Sequence, residues 1–418
     1  MSRPRRVVVT GMGAVTPLGA TADTFRARLV AGESGVRTIT SFDPSRVACH
    51  FAGEAIDFDP SLVLDRKEVR RNDRTTQMAL VATRQAMDDA GLPDRLEGEH
   101  ALHTGVIIGS GLGGTGTLID QIIVNHDRGA DRVSPFFIPM AIANMAAGQV
   151  SISFGAMGPN FSTTSACASA GHAIGEATEM ILRGDAEVMF AGGTEACVYE
   201  ATIAGFSAMR ALSTRNDDPA GASRPYDSGR DGFVLAEGAA TLILEELGHA
   251  EARGARILAE VCGYAASADA SHITSPAPGG AGALRAARRA MAKAGMDSSE
   301  IDLVAAHATS TPAGDMEELA AIRSLLGDRA PRVSVTAIKG AIGHTIGAAG
   351  AHAVVAVIQA MRHSCVPPTL NLTAPDPAVG DMDLTPLHAR ERDVRVGLVN
   401  AFGFGGQNSA IVLRRWDA

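Results

Sequence analysis

The sequence predicts an α/β fold built from two duplicated halves, and two internal echoes carry that prediction. ALVATRQAMDDAGL (79–92) returns as ALRAARRAMAKAGM (283–296), matching at the first two positions and through an R-AM--AG core. Each copy leads into an apolar strand and then a Gly- or Thr-rich loop, GVIIGSGLGGTG from Gly105 and IDLVAAHATSTPAGD from Ile301. A second echo follows in the same order. GFVLAEGAATLILEE (232–246) and LVNAFGFGGQNSAIVL (398–413) both read as two apolar strands around a small-residue turn. Two echoes in one order imply a duplication, with residues 1–250 as one half and 251–418 as the other, meeting near 249–256. Apolar strands bracketed by helical segments imply sheets covered on both faces.

Taken in order, VVVT (7–10) reads as a buried strand, and Gly11, Gly13 and Gly19 then punctuate a loop. GMGAVT looks like half a dinucleotide fingerprint, but Thr16 stands where the third glycine belongs and Pro17 interrupts any helix. A short helix is expected over 24–31 and a longer one over 75–90, preceded by the basic cluster RKEVRRND (66–73), which by itself reads as a solvated face. An Ala-rich helix is expected over 168–182.

Hydrophobic residues make up 46% of the 418 and charged residues 20%, enough for a large core. A formal charge of −9 argues against nucleic acid as a partner. No run of 18 apolar residues occurs, and residues 1–6 lead into the first strand without a signal-peptide core, so neither membrane insertion nor secretion is expected. Five scattered cysteines, Cys49, Cys167, Cys197, Cys262 and Cys365, suit a reducing cytoplasm, and no CxxC pair points to a metal.

The chemistry gathers at element ends. Cys167 lies where a small-residue turn enters a helix, so unpaired backbone N–H groups and the helix dipole are expected to favour its thiolate. His307 follows the apolar strand 303–306, at the strand exit where α/β folds place chemistry. His344 lies in KGAIGHTIGAAGA (339–351), where a Gly-rich turn again enters an Ala-rich helix, the expected counterpart of the Cys167 turn. One thiol and two imidazoles at related positions point to nucleophilic catalysis.

These residues resemble the β-ketoacyl-acyl carrier protein synthases, most closely the type II elongating condensing enzymes of the thiolase superfamily. The resemblance runs from VVVTGMG at Val7 to the last strand near Arg414. It rests on SPFFIP (134–139), SACASAGH around Cys167, MRALSTRND (209–217), AHATSTPAGD around His307, KGAIGHTIGAAGA, and NAFGFGGQN (400–408). It implies a five-layer αβαβα thiolase fold, a cytoplasmic homodimer, and acyl carrier protein as partner. No metal or cofactor is implied, since substrates arrive on the carrier's phosphopantetheine arm.

The resemblance also implies roles. Cys167 takes the acyl group. His307 and His344 hold the enolate left when malonyl carrier protein loses CO2, and the backbone N–H groups of Cys167 and Phe404 form an oxyanion hole. Lys339 sets the electrostatics of the histidine site with Asp315 and Glu318. Thr309 and Thr311 bind the pantetheine arm, with Asp269, Thr274 and Ser275 at the mouth. Phe402 and Phe404 form a gating loop, Leu112 faces the acyl pocket, and Lys67, Arg70, Arg71 and Arg210 dock the acidic carrier. Two departures stand out. Ala308 replaces the usual glycine after the first histidine, and Ala353, next to His352, replaces a glutamate whose loss is expected to deprive the site of a supporting carboxylate.

Four other readings are weighed. A polyketide or specialised-lipid ketosynthase keeps the same residues. A non-catalytic chain-length subunit lacks the nucleophile that is present here, and a coenzyme A thiolase needs a second catalytic cysteine, whereas Cys365 in RHSCVPPTLN lacks a Gly-rich turn. Type III starter synthases place asparagine where His344 stands.

Overall fold

The computed structural model describes residues 4–417, so Met1, Ser2 and Arg3, part of the stretch 1–6 expected to carry no signal-peptide core, and Ala418 lie outside the described residues. Ten strands form one sheet: β1 (Val7–Val15), β2 (Thr104–Gly109), β3 (Asn160–Phe161), β4 (Val188–Glu195), β5 (Gly238–Glu246), β6 (Ala259–Ala268), β7 (Leu303–Ala305), β8 (Ser334–Thr336), β9 (Val396–Gly403) and β10 (Gln407–Arg415). Across the sheet they run β3-β2-β4-β5-β1-β6-β10-β9-β7-β8. Each strand of the first half has its counterpart five strands later, with the same parallel and antiparallel pairings. The halves join edge to edge through β1 and β6, antiparallel over Val7–Val261, Val8–Glu260 and Val9–Ala259.

Five helices complete the layers: α1 (Arg74–Asp89), α2 (Ser169–Arg183), α3 (Ala281–Ala294), α4 (Pro312–Leu326) and α5 (Ala349–His363). The copies of the 79–92 repeat lie in α1 and α3, which cover the outer faces, α1 against β1 and β5 and α3 against β6 and β10. Between the two halves of the sheet lie α2 and α5, which pack on each other and on strands of both halves. Helix α5 is buried from Ala349 to Met361, so its alanines and valines need no polar face. The two inner helices cross at glycines: a Cβ at Gly350 would lie 2.9 Å from the backbone nitrogen of Gly171. The chain thus has the αβαβα layering of the thiolase fold.

Three local expectations change. Strand β1 does not stop at Thr10 but runs through Gly11 and Gly13 to Val15. Those glycines make room for α1, since a Cβ on either would fall about 2.2 Å or less from the carbonyls of Ala86 and Ala82. Residues 232–237 do not form a strand beside β5; the partner is β4, and the 42 residues 196–237 between them fold over the site. In the second half only the turn 404–406 occupies the equivalent gap. The duplicated turns also superimpose differently in register. The turns Ala166–Ala168 and Ile346–Ala348 lead into α2 and α5, so Gly347 is the counterpart of Cys167, and His344 stands three residues earlier.

Candidate active site

Cys167 sits in the 3-10 turn that starts α2, behind Ala166, whose φ of 49° is held in the left-handed region. The bend buries the thiol at the bottom of a cavity, 8% exposed. The backbone N–H groups of Phe404 and of Cys167 itself face Sγ and favour its charged form. The helix start nevertheless does not yield a resting thiolate. Burial pushes the thiol up to about 12, Glu195 adds to that, and Lys339 and the two N–H groups only partly oppose it. The same N–H groups are placed to receive an oxygen that develops charge beside the sulfur.

His307 leaves the end of β7, and its backbone N–H donates to Glu318 Oε1 at 2.8 Å. His344 is fixed by its own backbone, with N–H to the Val234 carbonyl at 2.7 Å and C=O from Ala236 N–H at 3.0 Å. The rings stand nearly perpendicular, centroids 5.3 Å apart, with Phe402 5.4 Å from His307 and Phe233 5.5 Å from His344. Burial, then the charge of Lys339, holds both well below the usual histidine range, so both are neutral at physiological pH. Neither Nδ1 has a partner among the described residues.

Lys339, 3% exposed, is lowered to about 8 by burial, with Glu318, Cys167 and Asp315 pulling the other way. It forms no ion pair with either carboxylate among the described residues. Glu318 instead accepts from the backbones of His307 and Ala308 and from Asn400 Nδ2 at 3.0 Å. Asp315 accepts from the N–H groups of Ser310, Thr311 and Tyr226 and lies 3.8 Å from Arg230. The expected Lys339–Asp315–Glu318 cluster is therefore two loop-holding carboxylates acting on the lysine at a distance. Burial holds Asp315 up at about 7.

Above these groups opens a cavity of about 570 Å³ that reaches the surface past Thr309 and Thr311, whose hydroxyls lie 3.1 Å apart. Leu112, Phe402 and Phe404 line it, and Leu112 remains 43% exposed. Thr274, Ser275 and Asp269 lie at the mouth. Asp269 has its carboxylate committed to Ala277 N–H and Asn408 Nδ2, and its backbone N–H donates to the Gly406 carbonyl. It ties the mouth loop to the Phe404 loop. Arg210 is exposed on the rim, while Lys67, Arg70 and Arg71 are exposed on and just after the one-turn helix Arg66–Val69, outside the cavity. Arg71 stacks over Phe136 at 4.8 Å.

Residues 4–250 match the N-terminal domain of beta-ketoacyl synthases, and residues 258–373 match the C-terminal domain. The chain belongs to the β-ketoacyl synthase family. It is 46% identical over 413 residues to the 3-oxoacyl-[acyl-carrier-protein] synthase 2 of Synechocystis sp., covering 99% of each chain. Among solved structures, a beta-ketoacyl synthase from Burkholderia phymatum superimposes with a TM-score of 0.92 at 36% identity, covering 99% of this chain and all of that one. A ketosynthase structure described as a type II PKS acyl-carrier protein in complex with its ketosynthase bound to the hexaketide gives 0.91 at 31%, with the same coverage.

Within this β-ketoacyl synthase, sequence reasoning missed two groups beside the nucleophile. Ser165 Oγ lies 2.6 Å from His172 Nδ1, whose other ring nitrogen faces the Asn408 carbonyl at 3.4 Å, linking the nucleophile turn to the Phe404 loop. SACASAGH contains both residues, at a spacing of seven. Glu195 is fully buried and accepts four hydrogen bonds. A lone glutamate at the end of an apolar strand gives no local sign of this.

The departures look different in place. Ala308 is buried, hydrogen-bonds Glu318 through its N–H, and has no left-handed backbone that would demand glycine. Ala353 is buried, 2% exposed. It belongs to the apolar cluster that contains Ala305 and Val399, which pair between β7 and β9 against α5. His352 turns away from the site, Nε2 donating to the Val15 and Ala239 carbonyls and Nδ1 accepting from Thr345 Oγ1 at 3.0 Å. We expect Ala353→Glu to cost about 4 kcal/mol at neutral pH, the equivalent of a pKa raised by about three units. Because the folded pKa would exceed the unfolded one, the penalty should shrink as pH falls toward about 5, which urea unfolding at two pH values would read.

Proposed function

We propose that this protein elongates acyl chains by decarboxylative Claisen condensation on acyl carrier protein, as in fatty acid synthesis. The observation that carries the reading is the convergence of Cys167, His307, His344 and the Phe404 N–H in one cavity. The Cys167 thiol attacks the carrier-bound thioester, giving acyl-Cys167 and releasing the pantetheine thiol. Malonyl carrier protein then enters past Thr309 and Thr311. Cleavage of its carboxyl C–C bond releases CO2 and leaves an enolate, whose oxygen accepts hydrogen bonds from the two neutral imidazoles. The enolate carbon attacks the acyl-Cys167 carbonyl, the oxyanion rests on the N–H groups of Phe404 and Cys167, and collapse expels the thiolate. The product is a 3-oxoacyl carrier protein, and the Cys167 thiolate takes up one proton from solvent, replacing the one that left with the pantetheine thiol. No step calls for a metal or cofactor.

The fatty-acid reading is favoured over a polyketide one by identity, 46% to the Synechocystis synthase against 31% to the polyketide ketosynthase. We place the activity in the cytoplasm, in keeping with five free cysteines; no helix among the described residues is long and apolar enough to cross a membrane. A homodimer is supported by exposed apolar residues, with Ile122, Ile123, Ile138, Ile142 and Phe161 each at least 36% exposed and Phe161 on β3, the strand that ends the sheet.

The test is incubation with an acyl carrier protein and labelled malonyl carrier protein. The expected result is acyl mass on Cys167 and a product two carbons longer; label on another residue, or none, overturns the reading. Docking has its own prediction. Lys67→Glu with Arg70→Glu should raise the KM for carrier protein about tenfold while leaving transfer from small thioesters unchanged, and equal losses on both would sink the assignment.

A further inference from the structure

We propose that Glu195 is a positioning residue that sets the width of the acyl channel, holding the backbones of both channel walls with one buried carboxylate. This rests on the acyl-transfer reading above. Glu195 ends β4 and has no basic partner among the described residues. Its Oε1 accepts from Ser110 Oγ at 2.9 Å and Leu112 N–H at 3.1 Å. Its Oε2 accepts from Gly111 N–H at 2.7 Å and, from the other half of the molecule, Gly347 N–H at 3.0 Å. Leu112 and Ile346 line the cavity with Cys167, so each wall residue has its position set at or next to an N–H that this carboxylate holds.

The junction has no slack. A Cβ at Gly111 would lie 2.9 Å from Glu195 Oε2 and 3.0 Å from Ile346 Cγ2, and one at Gly347 would lie 2.5 Å from Gly111 N and 2.6 Å from Oε2. Ile346 has a φ of 43°, and a β-branched residue persists there only when its surroundings over-determine it. A carboxylate can accept all four bonds. An amide offers one oxygen: at the Oε2 position it keeps Gly111 and Gly347 but turns its NH2 against the Leu112 N–H, and at the Oε1 position it gives up Gly347, so glutamine frees at least one channel-lining residue.

The experiment measures single-turnover acylation of Cys167 across acyl thioesters of increasing length, in wild type, Glu195→Gln and Ser110→Ala. The expected result is a rise of at least about fivefold in the ratio of long-chain to short-chain kcat/KM for Glu195→Gln. Ser110→Ala, which removes one donor, should move the ratio the same way by less, and it decides the matter if Glu195→Gln does not fold. An unshifted ratio, whether total activity is kept or falls equally at every length, overturns the proposal. Failure of the wild type to acylate at all would instead overturn the acyl-transfer reading.

Discussion

Cys167→Ala is expected to lower acyl transfer by more than about a thousandfold, because no other thiol lines the cavity. Intact-protein mass spectrometry should show acyl mass on the wild type and none on the variant. The methyl group leaves the Phe404 N–H and both imidazoles in place, so malonyl decarboxylation should survive the substitution. Loss of both activities together would mean that the turn at Ala166, rather than the sulfur, had been lost.

His307→Ala has the complementary signature. Removing one donor to the enolate oxygen should slow decarboxylation and condensation by about a hundredfold to a thousandfold, while acylation of Cys167 in a first turnover persists. Since burial keeps both histidines neutral, wild-type decarboxylation should not fall as pH drops from about 7 to about 6. A steep acid limb with a midpoint near an ordinary histidine would contradict the site described here.

What the sequence reveals is chemistry that sits inside a short motif. Cys167, His307 and His344 each stand at the end of a strand or the start of a helix, with glycine and small residues around them, and such ends are visible locally. The helix 79–92 and its echo were readable for the same reason, since a repeat needs no tertiary context. Burial is not local. The helix start at Cys167 argued for a thiolate, but desolvation at the bottom of the cavity outweighs the dipole and leaves the thiol protonated. Ala353 reads in the sequence as a lost carboxylate, and that folding sets it in an apolar cluster is not visible there. Glu195 was invisible because its four donors come from segments that only folding brings together. The second echo paired 232–237 with β9, when the true counterpart of β9 is β4; a long insertion had moved the matching strand out of sequence reach.

The seam between the halves bears on how the chain unfolds. Only three residue pairs join β1 to β6, a thin connection for a ten-stranded sheet. The stronger tie is α5, which is buried against strands of both halves, and α2, which packs on it. Pulled apart, either half would present an uncovered apolar helix to water, so a break in the 249–256 segment would leave two fragments that hold together and lose structure in a single cooperative transition.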